Sequence, residues 1–148
     1  MAEELRLRIY VDGSSRGNPG PSGVGVVVFT PGIKEPVAEI SKYIGITTNN
    51  VAEYEAVIHA LKWLRHSGKK RAQLTLDSEL IYMQITGKYR IKASHIALLY
   101  KRINALLAEL DITITLVSRD RNKLANRLAQ KASKNVKTRA QTFKQLPL

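Results

Sequence analysis

The sequence predicts an α/β protein built on one mixed five-stranded sheet flanked by helices. Hydrophobic residues alternate with a period of two at residues 5–12 and 37–42, and from Asn50 the period becomes that of an amphipathic helix. The order of the predicted elements is βββαβααβα. This order implies an antiparallel meander of three strands, followed by two strands joined through helical crossovers.

The first half of the chain contains three predicted strands and one long helix. Residues 5–12 alternate as a half-buried strand, and a loop rich in Gly, Ser, Asn and Pro follows from Gly13 to Gly23. Val24–Phe29 has the composition of a buried strand, and residues 37–42 alternate as a third strand. Helical spacing then begins at Asn50 and stops near Gly68.

The second half alternates between strands and helices. In chain order we predict a strand at Leu74–Leu76 that ends at Asp77, a short helix at Glu79–Ile85 closed by Gly87, a helix at Ser94–Leu110, a strand at residues 112–116 and a basic helix at Lys123–Lys134. These elements predict one catalytic domain over residues 1–134 and a basic C-terminal tail over residues 135–148.

Composition restricts the class of protein. The 148 residues are 44% hydrophobic and 24% charged, which is typical of a single globular domain. No apolar run is long enough to span a membrane, no signal peptide is evident, and without cysteine there is no disulfide framework or thiolate zinc site. We therefore expect a cytoplasmic, monomeric protein with no membrane partner and no small-molecule organic cofactor.

The net charge indicates an anionic partner. Lys and Arg total 24 against 12 Asp and Glu, which gives a formal charge of +12. An excess of this size on a small domain favours nucleic-acid binding. A solubilising charge or affinity for an anionic membrane are the alternatives.

Three carboxylates occupy places that favour a common site. Asp12 ends the first predicted strand, Glu53 lies in the first turn of the long helix, and Asp77 ends the fourth strand. Acidic residues at strand ends beside a helix N-terminus often line a site at the sheet edge. Each also has a structural explanation: Asp12 as a turn residue, Glu53 as a partner of the helix dipole, and Asp77 as a helix cap.

The segments around these carboxylates resemble the type 1 ribonuclease H family. They are Tyr-Val-Asp-Gly-Ser-Ser-Arg-Gly-Asn-Pro-Gly-Pro from Tyr10 to Pro21, Thr-Thr-Asn-Asn-Val-Ala-Glu from Thr47 to Glu53, and Leu-Asp-Ser-Glu-Leu from Leu76 to Leu80. The resemblance covers almost the whole chain. It implies a ribonuclease H-like fold and a hydrolase that cuts the RNA strand of an RNA–DNA hybrid, leaving 5′-phosphate and 3′-hydroxyl ends.

The resemblance also implies roles for individual residues. Asp12, Glu53 and Asp77 match the carboxylates that hold two Mg²⁺ or Mn²⁺ ions, and such hard cations prefer oxygen ligands. For the RNA strand, the positions that match 2′-hydroxyl contacts are Gly13, Ser14, Ser15, Asn49 and Glu53. For a phosphate of the DNA strand, the matching positions are Asn18, Thr48 and Asn50, which as polar residues are equally typical of turns and helix caps.

Basic residues provide a third set of candidate nucleic-acid contacts. Lys88 and Arg90 flank Tyr89 in a segment where many bacterial members of the family carry a longer basic protrusion, for which this chain is too short. We interpret the three residues as a smaller substitute, with a solvated charged loop as the alternative.

The chain departs from the family pattern at two positions. Where many relatives have a histidine after the last strand, this chain has Arg119, with Arg121 as the alternative. Arginine stays protonated, so it can contact a phosphate but cannot act as a general acid–base group.

The second departure affects a metal ligand. The last helix reads Asn-Lys-Leu-Ala-Asn-Arg-Leu-Ala from Asn122, with Asn126 at the position where the family carries a fourth acidic ligand. Asn provides a neutral carbonyl oxygen instead of a charged carboxylate. We therefore expect Asn126 at the metal site and reduced turnover. A natural Asn and an inactivating Asp-to-Asn change both remain open.

Two other functions remain as alternatives. One is a module with the same fold that binds hybrids without useful turnover. The other is an integrase-like nuclease of the wider superfamily, which the Thr-Asn-Asn-x-x-Glu and Gly-Asn-Pro-Gly segments disfavour.

Overall fold

The computed structural model describes residues 6–135, which form one five-stranded sheet and four α-helices. The strands are β1 (Leu7–Ser15), β2 (Gly20–Phe29), β3 (Ala38–Thr47), β4 (Arg71–Leu76) and β5 (Asp111–Leu116). The helices are α1 (Asn49–Ser67), α2 (Glu79–Ile85), α3 (Ser94–Leu107) and α4 (Lys123–Lys134). One 3-10 turn, Arg119–Arg121, precedes α4.

The strands are arranged in the order β3-β2-β1-β4-β5, with β1 at the centre. β1, β2 and β3 form an antiparallel meander, whereas β4 pairs in parallel with both β1 and β5. The crossovers from β3 to β4 and from β4 to β5 pass through helices, as parallel pairing requires. This arrangement confirms the predicted fold class.

The ends of α1 follow from its flanking residues. Thr48 caps the first turn, because its Oγ1 accepts a hydrogen bond from the backbone N–H of Val51 at 3.2 Å. Gly68 ends the helix with φ of 86°, a left-handed conformation that favours glycine. The predicted end of this helix is thereby confirmed.

Two glycines let helices approach the sheet closely on opposite faces. A Cβ on Gly13 would lie 2.2 Å from the backbone carbon of Ala52 in α1. A Cβ on Gly25 would lie 2.2 Å from the carbonyl oxygen of Ala125 in α4. Asp12 pairs with Gly25 and precedes Gly13, so its side chain points to the α4 face. These approaches bring α1 and α4 to the two sides of β1 next to Asp12.

The prediction that Asp12 ends β1 is wrong. β1 continues to Ser15, and Asp12 to Ser15 pair with residues 22–25 of β2, so only residues 16–19 of the predicted Gly13–Gly23 loop connect the two strands. Gly and Ser have low strand propensity, but backbone pairing with β2 and the close packing of the two helices override it here. Asp12 is therefore held in the middle of a sheet.

Other boundaries differ by a few residues. β3 extends to Thr47, β4 begins at Arg71, and α3 ends at Leu107 instead of Leu110. Since α1 begins at Asn49, its first turn contains no acidic residue, and Glu53 lies in the second turn instead of the first. A role for Glu53 in offsetting the helix dipole is correspondingly weaker, because that effect falls off within the first turn.

The predicted tail at residues 135–148 lies outside the described residues except for Asn135. Within the described range 6–135, every helix is too short or too polar to cross a bilayer.

Candidate active site

Three carboxylates from three elements form the centre of the site. Asp12 comes from β1, Glu53 from α1, and Asp77 directly follows β4. One oxygen of each lies within 4.8 Å of the other two. Asp12 is 3% exposed, and Glu53 and Asp77 are partly buried. The structure therefore brings together the three carboxylates that the sequence singled out.

Asn126 joins this cluster from α4, on the face of the sheet to which the Asp12 side chain points. Its Nδ2 donates a hydrogen bond to Oδ2 of Asp12 at 2.7 Å. An ionised carboxylate only accepts, so the nitrogen and not the oxygen of the amide must face it. The expectation that Asn126 lies beside the carboxylates agrees with this geometry. In this orientation the amide nitrogen, which cannot bind a cation, faces Asp12.

Arg119 supplies the nearby positive charge. It lies in the exposed 3-10 turn before α4, and its charge favours ionisation of both Asp12 and Glu53. A cation with this placement is suited to contact with a phosphate at the carboxylates.

Two residues at the site have roles that the sequence analysis did not identify. Ser78 gives a hydrogen bond to Glu53, and its Oγ accepts one from the N–H of Ile81 at 3.2 Å, so Ser78 and not Asp77 caps α2. Asn122 donates to Asp77 Oδ2 and to the carbonyl of Val11, each at 2.8 Å. A polar residue directly before each of two helices was the available signal, but it indicated capping alone.

Burial makes the carboxylates resist ionisation. Burial, followed by the charges of Asp12 and Asp77, raises the pKa of Glu53 from 4.5 to about 8, although Arg119 and Ser78 act in the opposite direction. Burial also raises the pKa of Asp12 from 3.8 to about 6, against the hydrogen bond from Asn126. Without a cation, the cluster therefore carries less negative charge near neutral pH than three ordinary carboxylates would.

These residues fit divalent cations. The donors are hard oxygens, which Mg²⁺ and Mn²⁺ prefer. They come from separate elements and lie within 4.8 Å of one another. A bound dication would favour the ionised forms of Asp12 and Glu53, whose pKa values the protein alone raises. Asp12, Glu53 and Asp77 are thus the residues that would hold the metal, with the Asn126 carbonyl as a further oxygen after rotation of its amide.

Metal-free protein should lose stability as the pH rises from about 4.5 to about 8 because of Glu53. The sign follows from proton binding: in this window the folded state keeps a proton that the unfolded state releases, so raising the pH favours unfolding. Glu53→Gln should remove this loss, so its gain in the free energy of unfolding over the parent should be larger at pH 8 than at pH 5, by on the order of 3 kcal/mol. Urea unfolding in EDTA at the two pH values measures it.

Glu35→Gln provides the control for this measurement, since it removes an exposed carboxylate. Its effect on the free energy of unfolding should be the same at both pH values. The interpretation fails if Glu53→Gln behaves like Glu35→Gln. Excess Mg²⁺ should reverse the order, stabilising the parent more than the Glu53→Gln variant.

A polar network lies beside the carboxylates at the ends of β1 and α1. The backbone N–H of Ser15 donates to Asn49 Oδ1 at 2.9 Å, and the N–H of Asn49 donates to Asn18 Oδ1 at 2.8 Å. Asn18 has φ of 44°, a left-handed conformation that Asn tolerates better than most residues. The structure thus joins Ser15, Asn18 and Asn49, which the sequence analysis assigned to two different strands of a hybrid.

The remaining candidate contacts divide into two groups. Gly13 and Ser14 continue β1 beside the network, and Thr48 and exposed Asn50 lie at the start of α1. The capping alternative for Thr48 is confirmed by its bond to Val51. Lys88, Tyr89 and Arg90 lie apart from these, on the exposed segment between α2 and α3, where the Lys88 ammonium is 5.8 Å from the Tyr82 ring centre.

Comparison with known proteins places this arrangement in a family. Residues 10–132 match the family model described as reverse transcriptase-like. The chain is 39% identical over 129 residues to a bifunctional protein of Mycobacterium tuberculosis, covering 86% of this chain but 35% of that protein. The chain therefore spans about a third of the length of this mycobacterial relative.

Solved structures of similar size match over nearly their full length. RNase H1 from the archaeon Halobacterium salinarum superimposes with a TM-score of 0.84 and 39% identity, covering 88% of this chain and 99% of that one. LC11-RNase H1, isolated from compost and crystallised in complex with an RNA/DNA hybrid, gives a TM-score of 0.83 and 35% identity, covering 90% and 100%. The chain belongs to the type 1 ribonuclease H family.

Proposed function

We propose that this chain is an endoribonuclease that hydrolyses the RNA strand of RNA–DNA hybrids, with a turnover that Asn126 reduces. The observation that carries the proposal is the convergence of Asp12, Glu53 and Asp77 within 4.8 Å of one another. The Ser15–Asn49–Asn18 network lies further along β1 and at the start of α1. Metal-assisted cleavage of a nucleic acid requires a cluster of metal ligands and polar groups that contact the sugar–phosphate backbone of the substrate. The solved hybrid complex of LC11-RNase H1 supports the choice of substrate.

The carboxylates would hold two divalent ions, Mg²⁺ or Mn²⁺. Such ions supply an activated water and stabilise the leaving 3′-oxygen, so that the products carry 5′-phosphate and 3′-hydroxyl ends. Asp12 is central to this arrangement because it lies between Asn126 and the other two carboxylates. Arg119 contributes a fixed positive charge, which suits it to bind a phosphate of the RNA strand or of the departing product.

Recognition of the hybrid would involve different residues for the RNA strand and for the DNA strand. The RNA strand is identified by its 2′-hydroxyl groups, which both donate and accept hydrogen bonds. The backbone of Gly13–Ser15, the Asn49 amide and the Glu53 carboxylate are our candidates for these contacts. For a DNA phosphate the candidates are Asn18, Thr48 and Asn50, and the exposed Lys88, Tyr89 and Arg90 would extend the contact along the duplex.

We propose a cytoplasmic monomer whose catalytic domain spans residues 1–134 and whose residues 135–148 form a basic tail. The formal charge of +12 supports binding to a polyanion.

A hybrid-binding module without useful turnover is the second candidate. The observation that favours it is the hydrogen bond from Asn126 to Asp12, since it places an uncharged amide donor at the carboxylates where a fourth carboxylate would help to hold cations. The same fold and the same nucleic-acid contacts would serve both functions. Only cleavage distinguishes them.

The experiment that tests the proposal is a comparison of substrates under single-turnover conditions. End-labelled RNA–DNA hybrid, duplex DNA and duplex RNA of one sequence are incubated with excess protein in Mg²⁺, in Mn²⁺ and in EDTA. We expect cleavage of the RNA strand of the hybrid alone, only with a divalent ion, and faster in Mn²⁺. An Asp12→Asn sample purified in the same way controls for contaminating nuclease.

Cutting of duplex DNA at a comparable rate would contradict the proposal. Tight hybrid binding with no cleavage, both in this chain and in its Asn126→Asp variant, would favour the binding module instead.

A further inference from the structure

Asn122 is buried at the point where three elements of the site meet. It is 1% exposed, directly precedes α4, and lies between the end of β4 and the middle of β1. Its Nδ2 donates to Asp77 Oδ2 and to the carbonyl of Val11, each at 2.8 Å. A backbone carbonyl and an ionised carboxylate can only accept hydrogen bonds, so the nitrogen of the Asn122 amide must face them.

The side chain of Asn122 does not serve the helix that it begins. Asn at this position usually accepts a hydrogen bond from a backbone N–H of the first turn. Asn122 makes no such capping bond, although its backbone carbonyl accepts the first helical bond of α4 from Asn126. Its Oδ1 is also buried and accepts no hydrogen bond in the described structure. Both observations indicate that the amide is oriented for Asp77 and β1 instead of for local helix stability.

The two hydrogen bonds of Asn122 connect two candidate metal ligands, Asp12 and Asp77. The bond to the Val11 carbonyl ties the start of α4 to the residue before Asp12, and the bond to Asp77 fixes one of its carboxylate oxygens. With Oδ2 held in this way, the other oxygen of Asp77 is left to bind a cation. Partners that orient a metal ligand in this manner typically change metal affinity by about 10- to 100-fold when they are removed.

We propose that Asn122 is a positioning residue for the metal site, which acts through Asp77. The inference rests on the proposed function only in taking Asp77 as a metal ligand. It gives a role to a residue that is not itself a candidate metal ligand, because its amide nitrogen donates to Asp77 and Val11 and an N–H donor does not bind a cation.

The test measures Mn²⁺ binding to the protein in the absence of nucleic acid. Isothermal titration gives the Kd of the parent chain, of Asn122→Ala, and of Ser41→Ala as a matched control. Ser41 also donates a 2.8 Å hydrogen bond to tie a strand to α4, but its acceptor is the Leu128 carbonyl, away from the carboxylates. We expect Asn122→Ala to raise the Kd about 10- to 100-fold, and Ser41→Ala to leave it within about twofold of the parent value.

A double-mutant cycle separates positioning from general loosening of the fold. In an Asp77→Asn background, Asn122→Ala should change the Mn²⁺ Kd by less than about twofold, since the residue through which it acts has already been altered. An equal loss of affinity in both backgrounds would overturn the proposal, as would an Asn122→Ala Kd within twofold of the parent value.

If Asn122→Ala does not fold, Asn122→Ser takes its place, because a serine keeps a helix-capping side chain but is too short to reach both acceptors. A folded Asn122→Ser variant with the parent affinity, or failure of both variants to fold, would show that the role is structural and overturn the inference. None of these measurements depends on hybrid cleavage, so the inference and the proposed function can fail separately.

Discussion

Asp12→Asn should abolish hybrid cleavage while leaving hybrid binding within about threefold of the parent. Asp12 is the most deeply buried of the three carboxylates, accepts a hydrogen bond from Asn126, and has an oxygen within 4.8 Å of an oxygen of both Glu53 and Asp77. An amide at position 12 removes the charge that would bind cations but adds none that would repel phosphate. We expect a rate loss of at least a thousandfold, equivalent to about 4 kcal/mol of barrier. Single-turnover cleavage and equilibrium hybrid binding measure the two quantities.

The Asp12→Asn variant should also remain folded. Since burial raises the pKa of Asp12, replacing it with a neutral amide should not lower the stability of the metal-free protein at neutral pH. Asp120→Asn is the matched control, because Asp120 is an exposed carboxylate in the 3-10 turn next to the site, and it should keep the parent rate. An Asp12→Asn rate within tenfold of the parent would mean that the active site lies elsewhere.

Periodicity was sufficient to predict most of the fold. The apolar spacing of α1 and α4 and the alternation in β1, β3 and β5 depend on which face is buried, and that is a local property of the sequence. Gly68 marked the end of α1 correctly because the chain needs a left-handed residue there. The clustering of Asp12, Glu53 and Asp77 was predicted correctly, although one reason for it was wrong, because Asp12 lies within β1 and not at its end.

The details at Asp12 were not predictable from local sequence. The segment from Gly13 to Gly23 has the composition of a loop, and only its pairing partners make most of it a strand. Gly13 and Gly25 are needed because α1 and α4 pass within contact of the backbone there, a long-range constraint that no local pattern contains. Composition alone therefore predicted turns where the structure requires close packing.

The polar residues of the site were harder to assign for a related reason. Asn, Ser or Thr directly before a helix predicts a cap, which is correct for Thr48 and Ser78. The same rule is wrong for Asn122, whose partners are 45 and 111 residues away in the chain. Whether such a side chain bonds its own helix or a distant carboxylate depends on what the fold brings next to it.

Asn126→Asp should raise the cleavage rate at saturating Mg²⁺ by about a hundredfold, equivalent to about 2.7 kcal/mol of barrier. The hydrogen bond from Asn126 to Asp12 places the residue within reach of any cation that Asp12 would bind. An aspartate there would supply a fourth negative charge in place of an amide donor, and so help to offset two dications. Rates of the two proteins on one hybrid, measured side by side, give the effect.

The same substitution should lower the stability of the metal-free protein. A carboxylate at position 126 would replace a 2.7 Å hydrogen bond to Asp12 with repulsion between two acidic groups, in a cluster that already resists ionisation. Asn126→Asp should therefore unfold at lower urea in EDTA than the parent and gain more stability from Mg²⁺. Gln130→Glu, which adds the same charge at an exposed position one turn further along α4, should change neither quantity appreciably. If Asn126→Asp cleaves no faster than the parent, Asn126 is either a competent ligand as it stands or not a ligand, and the interpretation of this chain as an attenuated nuclease is wrong.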